Sequence, residues 1–160
     1  MDPLLHLLQR DARATPADLA AQLNLDADEV QRRIAAFEAD GTILGYQAVI
    51  DHERVGDGGF VTAVIEVKVT PEREGGFDRL AERIAGFAQV RACYLMSGAY
   101  DLLVVIDGRS LREVAGFVSE KLSPLGGVVG TATHFRLKAY KENGVLLAKS
   151  PAPERLAVTP

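Results

Sequence analysis

Between Thr15 and Phe37 two helical patterns follow one another with almost no chain between them, and this spacing restricts the fold more than any other stretch. Thr15-Pro16-Ala17-Asp18 reads as a helix start. A threonine caps, a proline takes the first helical position, where its missing N–H would be an orphan anyway, and an acid three residues on reaches back to the cap. Leu19, Ala20 and Leu23 give this helix a short apolar face. Asp26-Ala27-Asp28-Glu29 opens the next helix as a second capping box, and Val30, Ile34 and Phe37 recur beyond it at helical spacing. Only Asn24-Leu25 separates the two helices, so they cannot lie antiparallel and must cross steeply, as in a helix-turn-helix. Ala20 supplies a small residue at the crossing, Asn24 tolerates left-handed backbone in the turn, and Val30 anchors the second helix.

Upstream, Asp2-Pro3 starts a further helix with Leu4, Leu5, Leu7 and Leu8 as its apolar side. Downstream, Asp40-Gly41 ends the third helix, and Thr42–Ile50 reads as an extended wing. The expectation for residues 1–56 is therefore a winged helix-turn-helix that closes in a linker strand over about 42–56.

The pattern then changes. Val61, Ala63, Ile65, Val67 and Val69 alternate with more polar residues, a strand with one dry face. Phe77, Leu80, Ala81 and Ile84 mark a helix, Val90–Met96 a second strand, and Ser97–Asp101 a tight turn into the apolar strand Leu102–Ile106. Ser110-Leu111-Arg112-Glu113 is another capping box, for a helix whose face is Leu111, Val114, Ala115, Val118 and Leu122. Val129, Thr131, Thr133, Phe135 and Leu137 alternate along a fourth strand. The order β-α-β-β-α-β over residues 57–139 predicts a ferredoxin-like antiparallel sheet with both helices on one face, so the whole chain is of the α+β class. The opposite face, carrying Val, Tyr and Phe, would be an exposed apolar patch in a lone chain, and a second copy is expected to cover it. Residues 140–160 form a tail with the apolar pieces Val145-Leu146-Leu147 and Leu156-Ala157-Val158, read as a small hairpin or a strap.

Bulk composition narrows the classes. No apolar run approaches the roughly 20 residues of a membrane helix. The N-terminus has no basic stretch leading into an apolar one, so the expected compartment is the cytoplasm. A single cysteine, Cys93, permits neither an intrachain disulfide nor a cysteine zinc site, and no cofactor is implied. Charge opposes the helix-turn-helix reading: residues 1–56 carry five arginines against ten acids, whereas a DNA-binding half is usually basic. Part of that excess has a local cause, because Asp18, Asp26, Asp28 and Glu29 sit at helix N-termini, which favour negative charge.

Residues 2–139 resemble the leucine-responsive/asparagine-synthetase regulator family (Lrp/AsnC). The matching stretches are Leu7-Leu8-Gln9-Arg10-Asp11-Ala12-Arg13, the run from Phe37 through Asp40-Gly41-Thr42-Ile43 to Tyr46, and Gly98-Ala99-Tyr100-Asp101. The resemblance implies a transcription regulator that binds double-stranded DNA as homodimers, often assembled into tetramers or octamers. It also implies an amino acid bound between dimers at the loop after the second sensor strand. Ala99 stands where the family usually has an acidic or amide residue, and the tail beyond Ala139 is longer than in its commonest members.

Within that frame, Gln31 and Arg32 fall on the outward side of the second motif helix, opposite Val30 and Ile34, and suit adenine and guanine edges. The alternative for Arg32 is a surface pair with Glu29 or Asp28. Arg33 stands between a phosphate contact and an internal ion pair, and Thr15 at a helix start can donate to phosphate. For the effector, Asp101 would receive an α-ammonium while N–H groups around Gly98, Ala99 and Tyr100 hold an α-carboxylate, with Thr131 and Thr133 as a polar wall. The alternative for Asp101 is a turn in which it satisfies nearby backbone N–H groups. Two other functions stay open: an amino-acid sensor without DNA binding, and an enzyme similar to the sirohaem decarboxylases. The enzyme reading would depend on His6, His52 or His134, which lie far apart in sequence without catalytic or metal-ligand spacing, and His134 is its main candidate.

Overall fold

The computed structural model describes residues 1–55, 60–70 and 76–147. The chain forms two compact units, Met1–Ile50 with the segment from Lys141 onward, and Asp51–Tyr140.

In the first unit the start signals act as read. Asp2 caps α1 (Pro3–Arg10) by accepting from the Leu4 N–H at 2.8 Å. At α2 (Pro16–Leu23) the capping box is complete: Thr15 Oγ1 accepts from the Asp18 N–H, and the Asp18 carboxylate accepts from the Thr15 N–H. Asn24 ends α2 in the left-handed region, at φ 53°, which turns the chain sharply into α3 (Ala27–Ala39). Leu4, Leu8, Leu19, Ala20 and Val30 form the core where the three helices meet, with Ile34, Phe37 and Ile43 packed around them. Gly41 at φ 78° lets the chain leave α3, and the Ile43 N–H returns to the Phe37 carbonyl.

The wing is corrected. Residues 43–51 belong to no strand ladder among the described residues, and His52–Val55 form a single helical turn, α4, instead of the end of a linker strand. Leu44 is 94% exposed, so no inward-facing apolar row pins this segment into a sheet. A short hairpin, β5 (Lys141–Glu142) with β6 (Val145–Leu146), turns on Asn143 and Gly144. Both have positive φ, as a two-residue hairpin turn of the type I′ kind requires. It lies upstream of the place where the tail pattern suggested a hairpin. Leu156-Ala157-Val158 lie outside the described residues.

The second unit has β1 (Val61–Val69), α5 (Asp78–Ala85), β2 (Val90–Leu95), β3 (Leu102–Gly108), α6 (Leu111–Phe117) and β4 (Val128–Phe135). The sheet is antiparallel throughout, in the order β2-β3-β1-β4, which is the expected ferredoxin-like arrangement. Ala63, Ile65, Val67 and Val69 of β1 and Leu102, Val104 and Ile106 of β3 face Leu80 and Ile84 of α5 and Val114 and Phe117 of α6. The long sixth-helix pattern is split: past Phe117 the chain widens into a π-turn over Val118–Leu122, which still buries Leu122.

Register corrects the other sheet face. Phe135 pairs with Ala63, Thr133 with Ile65 and Thr131 with Val67, so all three point to the helix side. A bulge where Lys68 pairs with Gly130 but Val69 with Val128 takes Val129 out of the alternation, and Leu137 lies beyond the strand at 95% exposure. Among the paired residues, the face opposite α5 and α6 carries Val64, Leu103, Val105, Ala92, Tyr94 and Ala132.

Candidate functional site

Two groups of predicted residues occupy separate units. In the first, Gln31 and Arg32 are exposed on α3, on the side away from buried Val30. Arg32 is already held. Its Nη2 and Nε both donate to Glu29 Oε2, at 2.7 and 3.3 Å, and its pKa is raised first by that contact, then by the charges of Asp28 and Asp26. The expected capping box at this helix is accordingly incomplete. Asp26 accepts from the Asp28 N–H, while the Glu29 carboxylate reaches forward to Arg32 and not back to the cap. Arg33 donates to Asp2 Oδ2 at 2.6 Å, with both side chains partly buried, so it ties α3 to the start of α1. The Thr15 hydroxyl is taken as well: it donates to Asp18 Oδ2 at 2.6 Å while accepting from the Asp18 N–H. Asp18 in turn is held below the usual carboxylate range by the bonds its carboxylate accepts from the Thr15 hydroxyl and from the Thr15 N–H. Of the four candidates, Thr15, Gln31 and Arg32 are exposed and Arg33 is partly buried.

In the second unit, the loop after β2 holds Gly98 at φ 134°, a conformation that favours glycine. Gly98 and Ala99 are exposed and Tyr100 partly so. No backbone carbonyl among the described residues accepts from their N–H groups. The Asp101 carboxylate bonds a backbone N–H, but one of β1 and not one of its own turn. Its Oδ2 accepts from the Val69 N–H at 2.8 Å, its own N–H donates to the Val67 carbonyl, and its carbonyl accepts from the Met96 N–H. Thr131 and Thr133 share a face, but the structure does not bring them to the loop. Thr131 and Leu102 pair with Val67 from opposite sides, which places their strands roughly 10 Å apart across β1.

The three histidines lie on separate elements. His6 lies on α1, His52 stacks on Phe60 with ring centroids 4.2 Å apart, and His134 faces Glu66 at 3.3 Å. Among the described residues no three His, Cys, Asp or Glu side chains gather as a metal site, and no helix is long and apolar enough to cross a membrane. A cleft of about 340 Å³ between α1 and residues 42–47 is lined by Leu5, Leu8, Gln9, Ile43, Leu44 and Tyr46, and borders none of the predicted effector residues.

A trihelical helix-turn-helix followed by a ferredoxin-like unit defines the class: a DNA-binding head joined to an α+β domain. Comparison with known proteins assigns the family. The AsnC-type helix-turn-helix domain matches residues 3–38, and the Lrp/AsnC ligand binding domain matches residues 62–146. An uncharacterized HTH-type transcriptional regulator of Bacillus subtilis, YugG, is 45% identical over 157 residues, covering 98% of this chain and 95% of its own. A proline dehydrogenase transcriptional activator of Rhizobium radiobacter is 27% identical, with 89% and 90% covered. The structure of a Neisseria meningitidis transcriptional regulator in complex with L-Met superposes with a TM-score of 0.69 at 24% identity, covering 89% of this chain and 93% of that one. The chain belongs to the Lrp/AsnC family of transcription regulators.

Sequence reasoning held both ion pairs of the head as alternatives, a surface pair for Arg32 and an internal one for Arg33, and missed only the partner of Arg33. Arg33 and Asp2 are 31 residues apart, beyond the reach of local pattern. The Glu29–Arg32 spacing of three was visible, but the same glutamate also fitted a cap.

Proposed function

We propose that the chain is a sequence-specific DNA-binding regulator, without enzymatic activity, that works in the cytoplasm as a homodimer or a larger even assembly and responds to an amino acid. The observation that carries the DNA part is the outward side of α3, where Gln31 and Arg32 are exposed while Arg33 is tied to Asp2. Side chains of these two types suit adenine and guanine edges in the major groove. Two relatives support the response to a metabolite: one is named for activating proline dehydrogenase, the other was solved with L-Met. In this chain the unspent N–H groups of Gly98, Ala99 and Tyr100 suit an α-carboxylate. Asp101 keeps Oδ1 for an ammonium while Oδ2 holds Val69. Thr131 and Thr133 have no part in this reading, because β1 stands between them and the loop.

The open sheet face supports self-association. Val64 and Val105 pair at its centre, Leu103 and Tyr94 lie beside them, and Tyr94 is 54% exposed. Calorimetry of the full chain against a panel of amino acids, with native mass recorded for each, tests the sensing part. Heat from at least one amino acid together with a shift in assembly is the expected result. Heat from none of them rejects an amino acid as the effector.

A further inference from the structure

We infer that Glu29 sets the DNA specificity of α3 by holding Arg32 in one pose, making that arginine a reader of guanine instead of a general phosphate contact. This rests on the reading that α3 faces DNA, and adds to it a residue that acts through Arg32.

The geometry starts from the guanidinium. Its five N–H groups form two usable edges, one along the side through Nε and Nη2, the other across the end through Nη1 and Nη2. Glu29 Oε2 occupies the side edge, with 3.3 Å to Nε and 2.7 Å to Nη2. The end edge stays open, and that is a fork able to donate to O6 and N7 of guanine together. The pair sits one helical turn apart on an exposed surface, with the Arg32 side chain 72% exposed and that of Glu29 42%. An unrestrained arginine there would have many rotamers and would settle on the nearest phosphate, a contact that carries no sequence information. Holding it beforehand removes part of the ordering cost of the base contact.

Position adds to this. Glu29 is the third residue of α3, where an acid ordinarily returns to the cap residue's N–H. Here Asp26 accepts from the Asp28 N–H and the glutamate is free to turn toward Arg32. The carboxylate also has a cost that falls on every DNA sequence alike, since it brings negative charge toward phosphates. A duplex that presents guanine to the open fork offsets that cost, and a random duplex does not. Discrimination therefore rises while overall affinity falls, which gives the acidic start of α3 a function.

The test uses the full-length protein and two probes. One is the duplex enriched by the wild type from a randomised library, the other the unselected library, both measured by fluorescence anisotropy at one salt concentration. Glu29→Gln should bind the unselected library about two- to fivefold more tightly, the size of a surface charge contact. It should also lose preference for the selected duplex, with one guanine per half-site relaxed on reselection. Glu29→Asp keeps the charge but is too short to hold Arg32, so it should lose preference without gaining affinity for the library. Asp28→Asn removes the same charge without touching Arg32, and should raise both affinities alike. If Glu29→Gln behaves as Asp28→Asn does, with the guanine unchanged, Glu29 is only a solvated charge and the inference is overturned. If the wild type enriches no sequence, or Arg32→Ala binds the selected duplex as the wild type does, the DNA-facing reading of α3 fails and the inference fails with it.

Discussion

Asp101 joins three strands with three hydrogen bonds. It stands at the start of β3, receives the Val69 N–H of β1 on its carboxylate, donates its own N–H to Val67, and accepts from Met96 just past β2. Val69 is only 6% exposed, so its N–H has little access to water if the carboxylate is removed. Asp101→Ala should therefore destabilise the chain by about 1–3 kcal/mol, the cost of a buried donor left without a partner. Asp101→Asn keeps an acceptor oxygen at the same place and should recover much of that loss. Urea titration of the three proteins checks this. The asparagine variant also separates the two roles of the residue: a folded protein with weakened amino-acid binding assigns the charge to the ligand, and unchanged binding assigns Asp101 to architecture alone.

At the scale of elements, local signals were reliable where the bonds themselves are local. Thr15, Pro16 and Asp18 announced a complete capping box, and Asn24 announced the left-handed turn, because each effect spans four residues or fewer. Thr15→Ala should cost about 1 kcal/mol, as the loss of a capping hydroxyl does elsewhere. The pH dependence follows from Asp18, whose folded-state pKa lies below the ordinary 3.8 because of its bonds from Thr15. A lowered pKa contributes stability that is present above the unfolded value and is lost as pH falls through the folded one. The stability gap between wild type and Asp18→Asn should thus be full at neutral pH and close below about pH 3.8. Thermal melts of both proteins across that range measure it, and a gap independent of pH would exclude the carboxylate bond as its source.

Signals of longer range were not legible in the same way. The bulge at Lys68 and Val69 belongs to a ladder between segments some 60 residues apart, and it moves Val129 off the face that simple alternation gave it. Alternation put Phe135 on one side of β4 with Thr131 and Thr133, but it does not state which side the helices cover. The segment after α3 read as a strand from its β-branched and aromatic residues, yet a strand needs a partner, and none of the described residues pairs with it. The outward placement of Gln31 and Arg32 on α3 was legible from helical spacing. The engagement of Arg33 by Asp2 required the third dimension.

At the scale of the whole molecule, the proposed dimer would connect the tasks of the two units. Val105 pairs with Val64 on one side and Ala92 on the other, at the centre of the sheet face opposite α5 and α6. Val105→Glu leaves the helix-covered core untouched and should turn a dimer into a monomer at micromolar concentration in sedimentation experiments. An unchanged mass would mean that copies meet through some other surface. Loss of the dimer should also weaken DNA binding steeply, since two linked heads gain from effective concentration.

That link makes one measurement the most direct test of the central claim, that α3 reads DNA from a two-fold assembly. Hydroxyl-radical footprinting of the full-length protein on its selected duplex reports both at once. Two recognition helices related by a two-fold axis should protect two half-sites whose centres lie about one helical turn apart, or a multiple of it, on a near-palindromic sequence. Arg32→Ala should weaken both half-sites together. A single protected patch without symmetry, or two patches that Arg32→Ala leaves unchanged, would contradict the account.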